Sequence, residues 1–126
     1  MLNDVDVKTM LPVKDLEAAE RFYGETLRLE KTGGMPGNVA IYRSGGTTLC
    51  VYRSRFAGTN EGTAAMWEVA DVPATVKWLE GKGVTFEHYD NLPGLTRDGD
   101  VHRGGSMQVA WFKDPSGNIL SVQNRA

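Results

Sequence analysis

Apolar and polar residues alternate along Val5-Asp-Val-Lys8, and the stretch from Val5 to Val13 reads as a strand. The period then changes. Leu16, Ala19, Phe22, Tyr23 and Leu27 recur at helical spacing and form one apolar stripe. Asp15 stands just before them, where a short carboxylate accepts from the first free backbone N–H groups. Gly33-Gly34 and Pro36-Gly37 interrupt the chain. Val39 to Arg43 and Thr48 to Arg53 read as strands around Ser44-Gly-Gly-Thr47, a hairpin signal. The strand expected near Leu29 to Thr32 has the faintest pattern.

A polar connector follows at 54–63, and then the order starts again. Ala64 to Val69 reads as a strand. Asp71 is the second cap, with Pro73 tolerated in the first helical turn. Val76 and Leu79 face the core, and Gly81 and Gly83 bracket the helix end. Val84 to Tyr89 reads as a strand, and a long glycine-rich loop comes next. Met107 to Lys113 and Asn118 to Gln123 close the chain as a hairpin around Asp114-Pro-Ser-Gly117.

The two halves also match residue by residue. Val13 falls on Val69, Asp15 on Asp71 and Phe22 on Trp78. Later, Ala40 falls on Ala110 and Val51 on Ser121. Such an internal repeat implies a duplicated fold with an approximate two-fold axis. Short strands with only two helices place the chain among α+β proteins, with helices covering one face of mixed sheets.

Composition narrows the function. The net charge of −2 and the lack of a Lys/Arg run speak against nucleic acid. No apolar stretch approaches the roughly 20 residues that cross a bilayer. The acidic start, Met-Leu-Asn-Asp, is unlike a signal peptide, and the single Cys50 excludes an internal disulfide. A cytoplasmic, one-domain protein of 126 residues is the expectation.

The stretch from Leu11 to Glu30 and the closing Trp111-Phe-Lys-Asp-Pro-Ser-Gly-Asn-Ile-Leu-Ser-Val122 together resemble the vicinal oxygen chelate superfamily. Its members include glyoxalase I, bleomycin-resistance proteins and extradiol dioxygenases. The resemblance implies two βαβββ modules, here 1–55 and 62–126, whose curled mixed sheets surround a cavity. It also implies a homodimer. In metal-using relatives each module gives two ligands, one from its first strand and one from its last. Those positions fall on Lys8, Val51, Ala64 and Ser121. An ammonium has no lone pair to donate, Val and Ala have no donor atom, and one hydroxyl is weak alone. The expectation is no metal and no cofactor at this site.

Strand alternation then defines an inward face. It holds Lys8 and Met10, then Met66 and Glu68 beside Ala64. From the first hairpin it takes Tyr42, Leu49, Val51 and Arg53. From the second it takes Phe112 and Ser121, with Ala110, Gln108, Ile119 and Gln123. An apolar centre with a few polar groups is the chemistry of a small-molecule pocket. Cys50 is expected to face away from it, and Trp67, Trp78 and Trp111 to pack against helices. His88 and His102 flank or lie in the loop 91–106, which is long enough to act as a mobile lid at the cavity mouth.

Two kinds of function fit this pattern. One is a metal-free binder of a small organic ligand, of the glyoxalase or bleomycin-resistance type. The alternative is a lyase, isomerase or dioxygenase-like enzyme on a small organic substrate, with or without a metal. No catalytic residue is singled out, and fold alone does not choose.

Overall fold

The computed structural model describes residues 1–125. Strand β1 (Thr9–Val13) leads into helix α1 (Leu16–Glu20), and Asp15 caps it by accepting from the Ala18 N–H at 3.1 Å. A π-helical turn, Arg21–Thr26, continues the helix. Strands β2 (Glu30–Met35), β3 (Val39–Ser44) and β4 (Thr47–Arg53) complete a four-stranded sheet in the order β1-β4-β3-β2. Strands β1 and β4 run parallel, and the other pairs antiparallel.

The second sheet repeats this plan. Strand β5 (Thr63–Glu68) precedes helix α2 (Val72–Gly81), where Asp71 accepts from the Ala74 N–H at 3.0 Å. Strand β5 pairs parallel with β10 (Ile119–Gln123), and β10 pairs antiparallel with β9 (Met107–Lys113). Beside β9 lie two short strands in succession, β6 (Phe86–Glu87) and β8 (Val101–Gly104). Between them β7 (Thr96–Asp98) folds back on β8 as an outer hairpin.

Both helices cover the same kind of face, and one apolar cluster joins the two halves. Leu11, Val13, Tyr23, Tyr42 and Val51 from the first half meet Val76, Leu79, Phe112 and Val122 from the second. Phe22 lies against Phe112 with ring centroids 6.4 Å apart. Polar bonds pin the same seam. The Lys14 N–H donates to Ser116 Oγ at 2.8 Å, and Asn118 Nδ2 donates to the Pro12 carbonyl at 2.7 Å. The mixed α+β architecture with two sheets of mixed strands agrees with the sequence reading.

The stretch 91–106 departs from it. The expected lid is half built into the sheet, because His102, Arg103 and Gly104 pair with Val109, Gln108 and Met107. Val101 and His102 are buried. The backbone donors of this stretch find sheet partners, so the loop length that suggested a lid is spent on an added hairpin.

Candidate functional site

Register decides which side chains share a face. On the first sheet, Met10, Cys50 and Ile41 are mutual neighbours across three strands. Leu11, Val51 and Ala40 form the next row, are fully buried, and belong to the helix-covered core. The face away from the helix therefore carries Met10 and Cys50. On the second sheet, Met66, Ser121 and Trp111 form the equivalent row. Phe112, Leu120 and Trp67 alternate to the other side, and Phe112 and Leu120 belong to the core.

This corrects several expectations. Tyr42, Leu49 and Val51 lie under α1, where Tyr42 meets Tyr23 at a centroid distance of 6.2 Å. Phe112 lies under the helices with Phe22 and Phe86. Cys50, expected to face away, shares the row of Met10, and Trp111, expected against a helix, shares the row of Ser121. The physical reason is one residue in a turn. Arg43 pairs with Thr48 across the four residues Ser44-Gly-Gly-Thr47, whereas Lys113, which matches Arg43 in the repeat, pairs with Ile119 across the five residues Asp114-Pro-Ser-Gly-Asn118. A constant spacing carried from the incoming to the outgoing strand slips by one position, and one position inverts the face.

Met66, Ser121 and Trp111 line an open cavity of about 400 Å³ with Thr63, Ala64, Ala65 and Gln123. Trp111 is braced within it. Its indole Nε1 donates to Thr63 Oγ1 at 3.1 Å. His102 meets its ring edge-on at 4.9 Å, and Tyr89 does so at 5.2 Å. His102 is only 1% exposed. Its Nε2 accepts the Tyr89 backbone N–H at 2.9 Å, so in the neutral ring the proton sits on Nδ1. No partner meets hydrogen-bond geometry at Nδ1. Burial holds the His102 pKa below the ordinary histidine value, against a smaller opposing pull from the Val109 backbone.

The remaining candidates are dispersed. Lys8 is exposed ahead of β1, and Met10 is 55% exposed. Glu68 pairs with Gln123 at the end of β5. Arg53 stands at the far end of β4, opposite Val13, in a separate groove with Lys14 and Arg55. His88 is at the surface, with Nε2 2.7 Å from Asp100 Oδ1. Asp100 titrates below the usual carboxylate range, chiefly because the neighbouring Glu80 carboxyl keeps the proton of the pair, and then through His88. The structure brings Ser121 and Met66 together and sets His102 against the Trp111 ring beside them. It does not gather the twelve expected residues into one pocket.

The donor set does not fit a divalent metal. Ala64 has no donor atom, Ser121 offers one hydroxyl, and Met10 and Cys50 offer only a thioether and a thiol on the other sheet. Among the described residues no group of three or more His, Cys, Asp or Glu side chains is placed to hold an ion.

No family model and no curated protein matches the chain. Its architecture does match solved structures. A lactoylglutathione lyase from Agrobacterium tumefaciens superposes with a TM-score of 0.70 at 23% identity, over 95% of this chain and 92% of that one. A glyoxalase family protein from Enterococcus faecalis gives 0.71 at 17% identity, over 98% and 100%. An antibiotic binding protein from a Streptomyces species gives 0.66 at 21% identity, over 97% and 98%. The chain shares the fold of these glyoxalase and antibiotic-binding structures. Within that fold it is similar to glyoxalase and bleomycin-resistance proteins. No helix among the described residues is long and apolar enough to cross a membrane.

Proposed function

We propose that this chain is a metal-independent binder of a small aromatic or amphipathic organic molecule. The observation that carries the reading is the braced indole of Trp111 in the wall of the 400 Å³ cavity beside Met66 and Ser121. A flat, fixed π surface beside a polarizable thioether favours a planar apolar ligand. Ser121 and Gln123 supply the few polar contacts that set its orientation. The Streptomyces neighbour, an antibiotic binding protein, supports the class of occupant.

The cavity is lined by the second sheet alone, and it is open. Met10 on the first sheet and Met66 on the second, 44% exposed, leave apolar surface on both uncovered faces. In this reading a homodimer closes the site, with the Met10 face of one copy opposed to the Trp111 face of the other.

The test is a thermal-shift screen of aromatic compounds, with tryptophan fluorescence as the second readout, run with and without chelator. A hit should raise the melting temperature, because binding to the native state stabilises it. It should do so equally with chelator present. Hits that vanish with chelator, or that survive Trp111→Leu unchanged, would reject the proposal.

A further inference from the structure

The topology brings three chain segments together at one end of the first sheet. Lys14 follows the last residue of β1, Arg53 ends β4, and Asn38 immediately precedes β3. Parallel pairing of β1 with β4 and antiparallel pairing of β3 with β4 place these ends side by side. With Ser54 and Arg55 they line a groove of about 520 Å³, separate from the Trp111 cavity.

The groove has a fixed frame. The Ser54 N–H donates to the Val13 carbonyl at 3.0 Å, and the Arg53 N–H to the Asn38 carbonyl at 2.9 Å. The Lys14 N–H is tied to Ser116 Oγ at 2.8 Å, so the closing turn of the second half holds it as well. Past Arg55 the chain is locked at Gly58, whose positive φ and contact with the Ser116 carbonyl leave no room for a Cβ. The Arg55 guanidinium lies over the Phe56 ring, 4.9 Å from its centroid.

Every lining side chain offers a hydrogen-bond donor, and none is a carboxylate. Lys14, Arg53 and Arg55 take no part in the ion pairs formed among the described residues, although acidic residues outnumber basic ones in the chain. Ser54 Oγ accepts the Phe56 N–H at 3.1 Å, which leaves its own proton to give. Three unpaired cations with hydroxyl and amide donors suit an oxyanion of more than one charge, and guanidinium forks match phosphate oxygens. The volume exceeds that of a bare ion and leaves space for an attached organic part.

We propose that this groove is an anion site for the phosphate monoester of a small organic molecule. The site stands independently of the aromatic cavity. Charge complementarity commits it to a dianionic headgroup, and the short span of three cations commits it to a small molecule rather than a nucleic-acid backbone.

The test titrates the full chain, followed by amide chemical shifts, with glucose 6-phosphate, inorganic phosphate, glucose and a 20-nucleotide single-stranded DNA. Saturable one-to-one binding of glucose 6-phosphate is expected, with shifts at Lys14, Asn38 and 53–56. It should be at least fivefold tighter than inorganic phosphate, and glucose should not bind. Lys14→Ala and Arg55→Ala should each weaken it at least fivefold with the melting temperature held. Lys77→Ala, on α2 and outside the groove, should not. Equal or tighter binding of inorganic phosphate would overturn the monoester assignment. So would displacement of glucose 6-phosphate by the DNA at equal phosphate concentration, or affinity that persists in the Lys14→Ala/Arg55→Ala double variant.

Discussion

The phenol of Tyr23 donates to Asp114 Oδ2 at 2.8 Å across the seam between the two halves, and both residues are buried. Asp114 is otherwise satisfied within its own turn. Its Oδ1 accepts the Ser116 and Asn118 N–H groups at 2.9 and 2.8 Å, and its Oδ2 accepts Asn118 Nδ2 at 2.9 Å. The turn that lengthens the second hairpin is thus held by the helix of the first half.

Tyr23→Phe is expected to cost about 1–3 kcal/mol in urea unfolding, since it leaves a buried carboxylate one donor short. A second readout is specific to the phenol. Burial, followed by the nearby Asp114 charge, pushes the Tyr23 pKa above its ordinary value of 10.0. The unfolded chain therefore loses this proton near pH 10, while the folded chain keeps it. Stability from this group is intact below that pH and declines above it. The alkaline decline should shrink in Tyr23→Phe. An unchanged alkaline limb would show that Tyr23 does not set it.

The face assignment has its own test. Leu49 lies in the helix-covered core, whereas Met10 is 55% exposed on the opposite face. Leu49→Ala should cost about 2–5 kcal/mol, as deletion of a buried leucine does. Met10→Ala should cost under about 1 kcal/mol, because little packing is lost at an exposed position. Equal losses in denaturant melts would mean that the register is slipped.

Much of the architecture was legible because its signals are local. Asp15 and Asp71 cap their helices as short carboxylates before an apolar stripe should, and Val76 and Leu79 face the core. The site was legible in part. Ser121 and Met66 were readable from alternation along their own strands. Trp111 was not, since its face depends on how many residues the turn after Lys113 holds, and Asp-Pro-Ser-Gly reads as a tighter turn than the one formed. Strand β8 was hidden for another reason. Only Val101 and His102 of it are buried, and its glycine-rich flanks carry the composition of a loop.

His102 gives the acid-side prediction. Burial lowers its pKa from the usual 6.5, so the unfolded chain takes up a proton at a higher pH than the folded chain. Stability from the neutral ring is present above pH about 6.5 and is lost as pH falls through the lower folded value. His102→Gln should flatten the melting-temperature profile between pH 7 and 5. His88→Gln serves as the control, since His88 is at the surface against Asp100. If both variants keep the parent profile, acid loss comes from other groups.

The last prediction separates the indole that would meet a ligand from the residues that brace it. Trp111 lines the cavity, and Thr63 fixes its Nε1–H at 3.1 Å. Trp111→Leu should remove most stacking surface and weaken an aromatic hit from the screen by about tenfold or more, given roughly 1–3 kcal/mol for a stacked ring. Thr63→Val keeps the shape of the wall but frees the indole, so a smaller loss of about two- to fivefold is expected, from the roughly 0.5–1 kcal/mol of one hydrogen bond. Isothermal titration of the same compound against the two variants checks the order. A larger effect from Thr63→Val than from Trp111→Leu would place the ligand against Thr63 and away from the indole face.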